Sequence, residues 1–198
     1  MIPHAKTETK TQIRQTILDM AGLILREEGP QALSMRKLAE RVGASTIVLY
    51  TYFKNKQDIF DGLYREGFRR LKQDLESTPQ DLPPIEYVMA LGRSYHRSAI
   101  QNPTYYQIMF SHTVPGFIPS GESLSFSLES LRILESGVQR CLDAGLVKGV
   151  SAGAIAQVLW STLHGVISLE LFGYVSSKEM AQDRLELALR TIRDGLIK

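Results

Sequence analysis

The segment that most constrains the fold of this chain is LSMRKLAERVGASTIVLYTYFKNKQD, residues 33–58, because it holds two short helical patterns with a glycine between them. The first runs from Met35 to Arg41 and the second from Thr46 to Tyr52. A serine immediately precedes each of them, and serine is a residue type that caps helix N-termini. Gly43 lies between them, where a helix commonly ends in a left-handed residue. Two short helices joined by a glycine-containing turn are typical of a helix-turn-helix, whose second helix enters a major groove of DNA.

Charge is distributed unevenly along the chain. Residues 1–72 contain 13 Lys and Arg against 8 Asp and Glu, a net charge of +5, whereas residues 73–198 contain 10 against 13, a net charge of −3. A basic first part suits a module that binds a polyanion, although a charge of +5 over 72 residues could also arise by chance.

The same segment resembles the DNA-binding domain of TetR-type transcriptional regulators. The shared features are an L-A pair, a turn glycine, an aromatic ending of the second helix and the start of the next helix, which are here Leu38-Ala39, Gly43, Leu49-Tyr50-Thr51-Tyr52-Phe53, Lys56 and Ile59. The sequence departs from many members at Ile47 and Val48, which form a bulky β-branched pair. The resemblance, together with the two capping serines, predicts a DNA-binding set of Ser34, Arg36, Ser45, Thr46, Ile47, Val48, Tyr50, Thr51, Tyr52 and Lys56.

The predicted roles within this set follow from side-chain chemistry. Arg36 could bond a guanine edge or only a phosphate, and Thr46 a base or a phosphate. Ile47 or Val48 could pack on a thymine methyl group. The two tyrosines could donate to phosphates, or they could belong to the core. Lys56 would lie in the first turn of the next helix, where backbone N–H groups already favour an anion.

Apolar residues recur at three- and four-residue steps through the rest of the chain, without a period-two strand pattern or an internal repeat. We therefore predict an all-α fold of about nine helices. Residues 1–54 would form the helix-turn-helix DNA-binding domain, and residues 55–198 a helical effector-binding and dimerisation domain with residues 55–76 as a linker helix. The other predicted helices are a first one that ends at Gly29-Pro30, and then residues 85–101, 103–112, 122–144, 152–172 and 177–197.

Two runs in the second half resemble the C-terminal domain of one TetR branch: W-x-x-x-H-G from Trp160 to Gly165, and N-P-x-x-Y-x-x-M-F from Asn102 to Phe110. The resemblance implies a domain that binds a ligand and dimerises. Helices 152–172 and 177–197 are the predicted homodimer surface, although helix 152–172 could instead be buried within one subunit. A mostly apolar pocket for a small effector is predicted at residues that could equally be core: Tyr95, Tyr105, Met109, Phe110, Trp160 and His164.

The function predicted from these features is a homodimeric repressor of a palindromic operator in double-stranded DNA, which a small hydrophobic effector releases. Two other non-enzyme functions stay open: a helical lipid or ligand carrier, and an activator or nucleoid-type binder without an effector. Activation in place of repression would leave the same motifs.

Several classes of protein are excluded or disfavoured. The chain has no G-x-S-x-G, Walker, G-x-G-x-x-G or H-E-x-x-H motif, and its four histidines lack metal-ligand spacing, so we expect neither an enzyme nor a cofactor or metal site. The single cysteine, Cys141, is predicted to be a small buried hydrophobe. The N-terminus lacks an apolar signal core, so a cytoplasmic protein is expected. The apolar run 154–172 is interrupted by polar residues, which favours a buried helix over a membrane span.

Overall fold

The computed structural model describes residues 10–110, 114, 116–148 and 151–197. Within these residues the chain forms nine α-helices and one 3-10 turn, and the only strand-like pairing there is an isolated antiparallel bridge between Val147 and Ile197. The all-α prediction is therefore confirmed. The helices are α1 (Lys10–Glu28), α2 (Met35–Val42), α3 (Thr46–Tyr50), α4 (Lys56–Glu76), α5 (Pro84–Gln101), α6 (Pro103–Phe110), α7 (Gly121–Asp143), α8 (Ala152–Leu171) and α9 (Lys178–Leu196).

The helices belong to two compact units. The first unit comprises residues 1–67 and 104–124, and the second comprises residues 68–103 and 125–198. Helices α4 and α7 each pass from one unit into the other along the chain. The predicted division into domains 1–54 and 55–198 stays a prediction.

Helix α6 belongs to the first unit, where two glycines let it approach α1 and α4 closely. A Cβ added at Gly22 of α1 would lie 3.0 Å from the hydroxyl oxygen of Tyr105, and one added at Gly67 of α4 would lie 2.6 Å from the sulfur of Met109. Any larger residue at Gly67 would therefore displace the Met109 side chain. The two contacts seat α6 in notches on both neighbouring helices.

The start of α7 is tied to α4 within the same unit by one carboxylate. Asp61 accepts a hydrogen bond from the Ser120 backbone N–H at 2.8 Å, from the Ser120 hydroxyl at 3.1 Å and from the Ser123 hydroxyl at 2.7 Å. Ser123 is fully buried. Asp61 thus satisfies donors at the α7 N-terminus that would otherwise lack intrahelical partners.

The second unit has its core between α5, α8 and α9. Ile167 of α8 and Leu185 of α9 are almost completely buried there. Gly92 of α5 allows Leu189 of α9 to pack closely against α5, because a Cβ at this position would lie 2.7 Å from the nearest methyl carbon of Leu189. At the surface, Arg93 of α5 donates two hydrogen bonds of 2.7 Å to the carboxylate of Glu186 on α9.

Candidate nucleic-acid interface

Local hydrogen bonds set the two ends of the helix-turn-helix. The Ser34 hydroxyl accepts from the Lys37 backbone N–H at 3.2 Å, and the Ser45 hydroxyl accepts from the Val48 N–H at 3.3 Å, so both serines cap their helices as predicted. Gly43 ends α2 with a φ of 69° in the left-handed region, where an L side chain is strained.

The core beneath α2 and α3 is made of five apolar residues from the segment 33–49. Leu49, the central apolar residue of α3, is 0% exposed. The other four are also buried, and they are Leu33, Leu38, Ala39 and Val42. Because the buried side of α3 is fixed in this way, its other side is turned towards solvent.

The exposed side of α3 carries large apolar and aromatic side chains. Ile47 is 77% exposed, Tyr50 55% and Val48 39%. On α2, Arg36 is exposed as well. Neither Arg36 nor Tyr50 makes a hydrogen bond or an ion pair with any residue in the described ranges. The exposed side of α3 therefore presents uncovered apolar area and an unpaired tyrosine hydroxyl, and α2 adds an unpaired guanidinium.

Four other predicted contact residues are partly engaged within the unit. The Thr51 hydroxyl donates to the Val48 carbonyl at 2.7 Å. The Lys56 ammonium lies 3.5 Å from the Pro30 carbonyl oxygen and 5.5 Å from the centre of the Phe60 ring. Thr46 and Tyr52 are half-buried. A lysine ammonium has three donors, so Lys56 retains the capacity to bond a further acceptor.

The turn after α3 adds a cation, Lys54, that is not in the predicted DNA-binding set. The Lys54 side chain is exposed and makes no ion pair within the described part of the chain, whereas Lys37 and Arg41 of α2 are paired with Glu28 and Glu27 of α1. The signal for Lys54 was present in the K-N-K run that leads into α4. Lys54 and Arg36 are therefore unpaired cations of the helix-turn-helix.

The start of α4 is capped by the side chain of Asn55. The Asp58 N–H donates to the Asn55 side-chain oxygen at 3.0 Å, but the Asp58 carboxylate accepts from the Lys54 N–H at 2.9 Å rather than closing back on Asn55. The cap fixes the turn that carries Lys54.

Three of the predicted effector residues meet in the second unit. The Trp160 indole N–H donates to the Tyr95 hydroxyl at 3.2 Å, and this hydroxyl lies 3.4 Å from Nδ1 of His164. Burial lowers the pKa of His164, which favours the neutral imidazole at pH 7. The other three, Tyr105, Met109 and Phe110, lie on α6 in the first unit. A separate apolar cavity of the second unit is lined by other residues, among them Met89 and Cys141.

Helices α8 and α9 leave apolar side chains uncovered. Only 28% of the most apolar stretch of α8 is buried, so burial within one subunit does not explain the apolar composition of this helix. Its length and composition would also allow it to cross a membrane, which is weak evidence for a span since the helices of soluble proteins pass the same test. The most exposed large apolar residues of the two helices and their junction are Val158, Leu169, Phe172, Tyr174, Met180 and Leu187.

Cys141 is buried, as expected, and burial raises the pKa of its thiol. A thiol with a raised pKa is a poor nucleophile at neutral pH. The residue is therefore a packing element of the second unit.

Several known proteins are similar to this chain in sequence. The nucleoid occlusion factor SlmA of Haemophilus ducreyi is 28% identical over 137 residues, which cover 67% of this chain and 61% of that protein. The fatty acid metabolism regulator protein of Bacillus subtilis is 25% identical over 146 residues, 72% of this chain and 71% of that protein. The chain thus spans about three fifths of the length of the SlmA relative.

Two solved structures share the fold. A protein of unknown function from Rhodococcus sp. RHA1 superposes with a TM-score of 0.84 at 24% identity over 100% of both chains. The fatty acid degradation regulator FadR from Bacillus halodurans superposes with a TM-score of 0.73 at 17% identity over 93% of this chain and 97% of that one.

Two family models match the sequence. Residues 17–63 match the model for bacterial regulatory proteins of the tetR family, and residues 88–194 match the model for the tetracyclin repressor-like C-terminal domain. The second match alone covers more than half of the chain. The chain therefore belongs to the tetR family of bacterial regulatory proteins, which are transcriptional regulators and not enzymes, as the sequence predicted.

Proposed function

We propose that this protein is a homodimeric repressor that binds a palindromic site in duplex DNA through α2 and α3 and leaves it when a small hydrophobic effector binds. The observation that carries the proposal is the exposed side of α3, where Ile47 and Tyr50 are held out by a buried Leu49. Exposed apolar side chains on a motif that also carries unpaired cations suit a surface that binds a polyanion. Because the target is chromosomal DNA, we place the protein in the cytoplasm.

The polar groups of this surface suit a phosphate backbone. Arg36 and Lys54 have no anionic partner within the described residues, and Lys56 can bond a phosphate in addition to the Pro30 carbonyl. The hydroxyl of Tyr50 is exposed and can donate to a phosphate oxygen. The predicted set also contains side chains that reach less far than those of the lysines and Arg36, because they are short or half-buried. We propose that they contact DNA where the helices approach it most closely, and they are Ser34, Ser45, Thr46, Thr51 and Tyr52.

A dimer is proposed because one recognition helix contacts too little DNA to bind it tightly. A single α3 covers only a few base pairs, whereas a two-fold pair can place two such helices one helical turn of DNA apart, roughly 34–36 Å. Helices α8 and α9 supply the surface for the pair. A Cβ added at Gly165 would meet nothing within 4 Å, so this side of α8 is open to a partner helix. Val158 and Leu169 flank it with exposed apolar area.

The cluster of Tyr95, Trp160 and His164 supports the effector part of the proposal. It combines apolar rings with a few polar atoms, the composition typical of a small-molecule site. The predicted effector residues Tyr105, Met109 and Phe110 lie on α6 in the first unit and are not part of this cluster. To release DNA, the effector must bind one conformation of the protein better than the other.

The experiment that tests DNA binding starts with selection of bound duplexes from random DNA, followed by fluorescence anisotropy on the selected site. We expect a palindrome whose half-sites are one turn apart. The Lys56→Gln variant should weaken binding and reduce the slope of log affinity against log salt by about 1.8 per dimer, because two phosphate contacts are lost. Lys148→Gln, an exposed lysine of the second unit, is the matched control and should leave the slope unchanged. Absence of any selected sequence would refute the proposal.

A second candidate is a nucleoid-associated DNA binder without an effector, which the similarity to the nucleoid occlusion factor SlmA favours. The two functions differ in the number of chromosomal sites and in their response to ligands. Occupancy of many dispersed sites, together with no hydrophobic compound that lowers DNA affinity, would select this candidate over the repressor.

A further inference from the structure

We propose that Ile47 reads sequence by packing against the C5-methyl group of a thymine, so that each half-site of the target contains a thymine opposite the second residue of α3. The inference rests on the proposed DNA binding and adds which base this chain selects. It assigns the specificity to an apolar contact at the start of the helix.

Ile47 is a large apolar residue that solvent surrounds in place of a core. It is 77% exposed, although its neighbour Leu49 is 0% exposed and two residues away. The adjacent Val48 is also 39% exposed, so the uncovered area is made of two β-branched side chains. Such side chains are stiff at χ1 and lose little conformational freedom when they become buried. Ile47 is thus a conformationally restricted apolar side chain that protrudes into solvent, and the described residues leave most of it uncovered.

The position of Ile47 makes it a reader rather than a packing residue. It is the second residue of α3, and the Ser45 hydroxyl holds the first turn by accepting from the Val48 N–H at 3.3 Å. The N-terminal part of the recognition helix is the part that contacts base edges. Tyr50 lies three residues on, on the same side of the helix, where its exposed hydroxyl can reach the backbone of the duplex.

The chemistry of the groove identifies the partner. In the major groove the base edges present hydrogen-bond donors and acceptors, and the thymine methyl is the apolar group among them. An isoleucine side chain has no donor or acceptor, so it cannot satisfy a guanine, cytosine or adenine edge that it covers. Thymine is therefore the one base that can bury the exposed apolar area of Ile47 against an apolar group of its own.

The test replaces single atoms on both sides of the contact. In the selected site, each thymine is replaced in turn by deoxyuridine, which removes only the methyl group. At one position per half-site, wild-type affinity should fall about 4-fold, and about 15-fold when both half-sites are changed, as expected for one buried methyl group each. Ile47→Ala should bind the thymine site more weakly by a similar factor and should no longer respond to uracil at that position.

Two controls separate the possible failures. Lys148→Gln must retain the uracil response of the wild type. Since Ile47 contributes nothing to the core, Ile47→Ala should keep the wild-type melting temperature. A site at which no thymine responds to uracil, or a response that persists in Ile47→Ala, overturns the assignment while leaving DNA binding intact. Failure of the wild type to bind any duplex overturns the assignment together with the proposed function.

Discussion

Truncation of Leu187 to alanine should weaken the homodimer without unfolding the subunit. Leu187 lies on α9 and is 57% exposed in the single chain, so more than half of its side-chain area is still available for burial by a partner. Complete burial of a leucine stabilises by about 1.5–3 kcal/mol, and the fraction that remains for Leu187 corresponds to about 0.9–1.7 kcal/mol. A two-fold interface contains the residue twice, which gives about 1.7–3.4 kcal/mol for the dimer.

This free energy corresponds to an increase of about 20- to 300-fold in the dissociation constant of the dimer for Leu187→Ala. Sedimentation equilibrium over a range of protein concentrations measures the constant directly. The matched control is Ile118→Ala, because Ile118 is 83% exposed but lies outside α8 and α9. The control should dissociate like the wild type.

Two results would contradict a dimer that forms through α9. One is a wild-type protein that sediments as a single subunit at micromolar concentration. The other is a Leu187→Ala variant whose dissociation constant equals that of Ile118→Ala. Either result would mean that α9 does not bury its exposed apolar side chains against a second copy of the chain.

Three further predictions concern stability and the second unit. The hydrogen bond from Arg93 lowers the pKa of Glu186, so the pair stabilises the fold above the unfolded pKa of about 4.3 and loses this effect as pH falls through the folded pKa. Arg93→Ala should therefore cost about 0.5–1 kcal/mol in urea unfolding at pH 7 and almost nothing near pH 3; an equal cost at both pH values would contradict this. Gly43→Ala should cost about 1–2 kcal/mol, because alanine is strained at a φ of 69°, and an unchanged thermal transition would argue against the left-handed cap. Tyr95→Phe removes the oxygen to which the Trp160 indole donates, so the emission spectrum of this single tryptophan should change, and an identical spectrum would exclude that hydrogen bond.

The local signals of the sequence placed most helix boundaries correctly. The predicted ranges 85–101, 152–172 and 177–197 each agree with the observed helix to within one residue at either end. These boundaries depend on interactions within a few residues, namely serine caps and prolines at helix starts. The physical reason is that the orphan N–H and C=O groups of a helix end are satisfied by its immediate neighbours in the chain.

The end of α3 is where local reasoning was wrong. The pattern predicted a helix to Tyr52, but the helix ends at Tyr50, and both the Tyr52 and the Phe53 N–H groups bond back to the Leu49 carbonyl. The turn that follows carries Phe53 into the core, where it is 1% exposed. The helix is therefore two residues shorter than predicted, and the burial of Phe53 that follows depends on residues distant in sequence, which a local pattern does not contain.

The same division holds for the molecule as a whole. The sequence by itself determined the all-α class, the helix-turn-helix and its capping residues, because each depends on residue types at short spacings. Only the tertiary structure decided that α6 sits against Gly22 and Gly67, and that Tyr105, Met109 and Phe110 belong to a different unit from the Tyr95, Trp160 and His164 cluster. These outcomes depend on which surfaces meet across long stretches of chain, and helical periodicity does not specify that pairing.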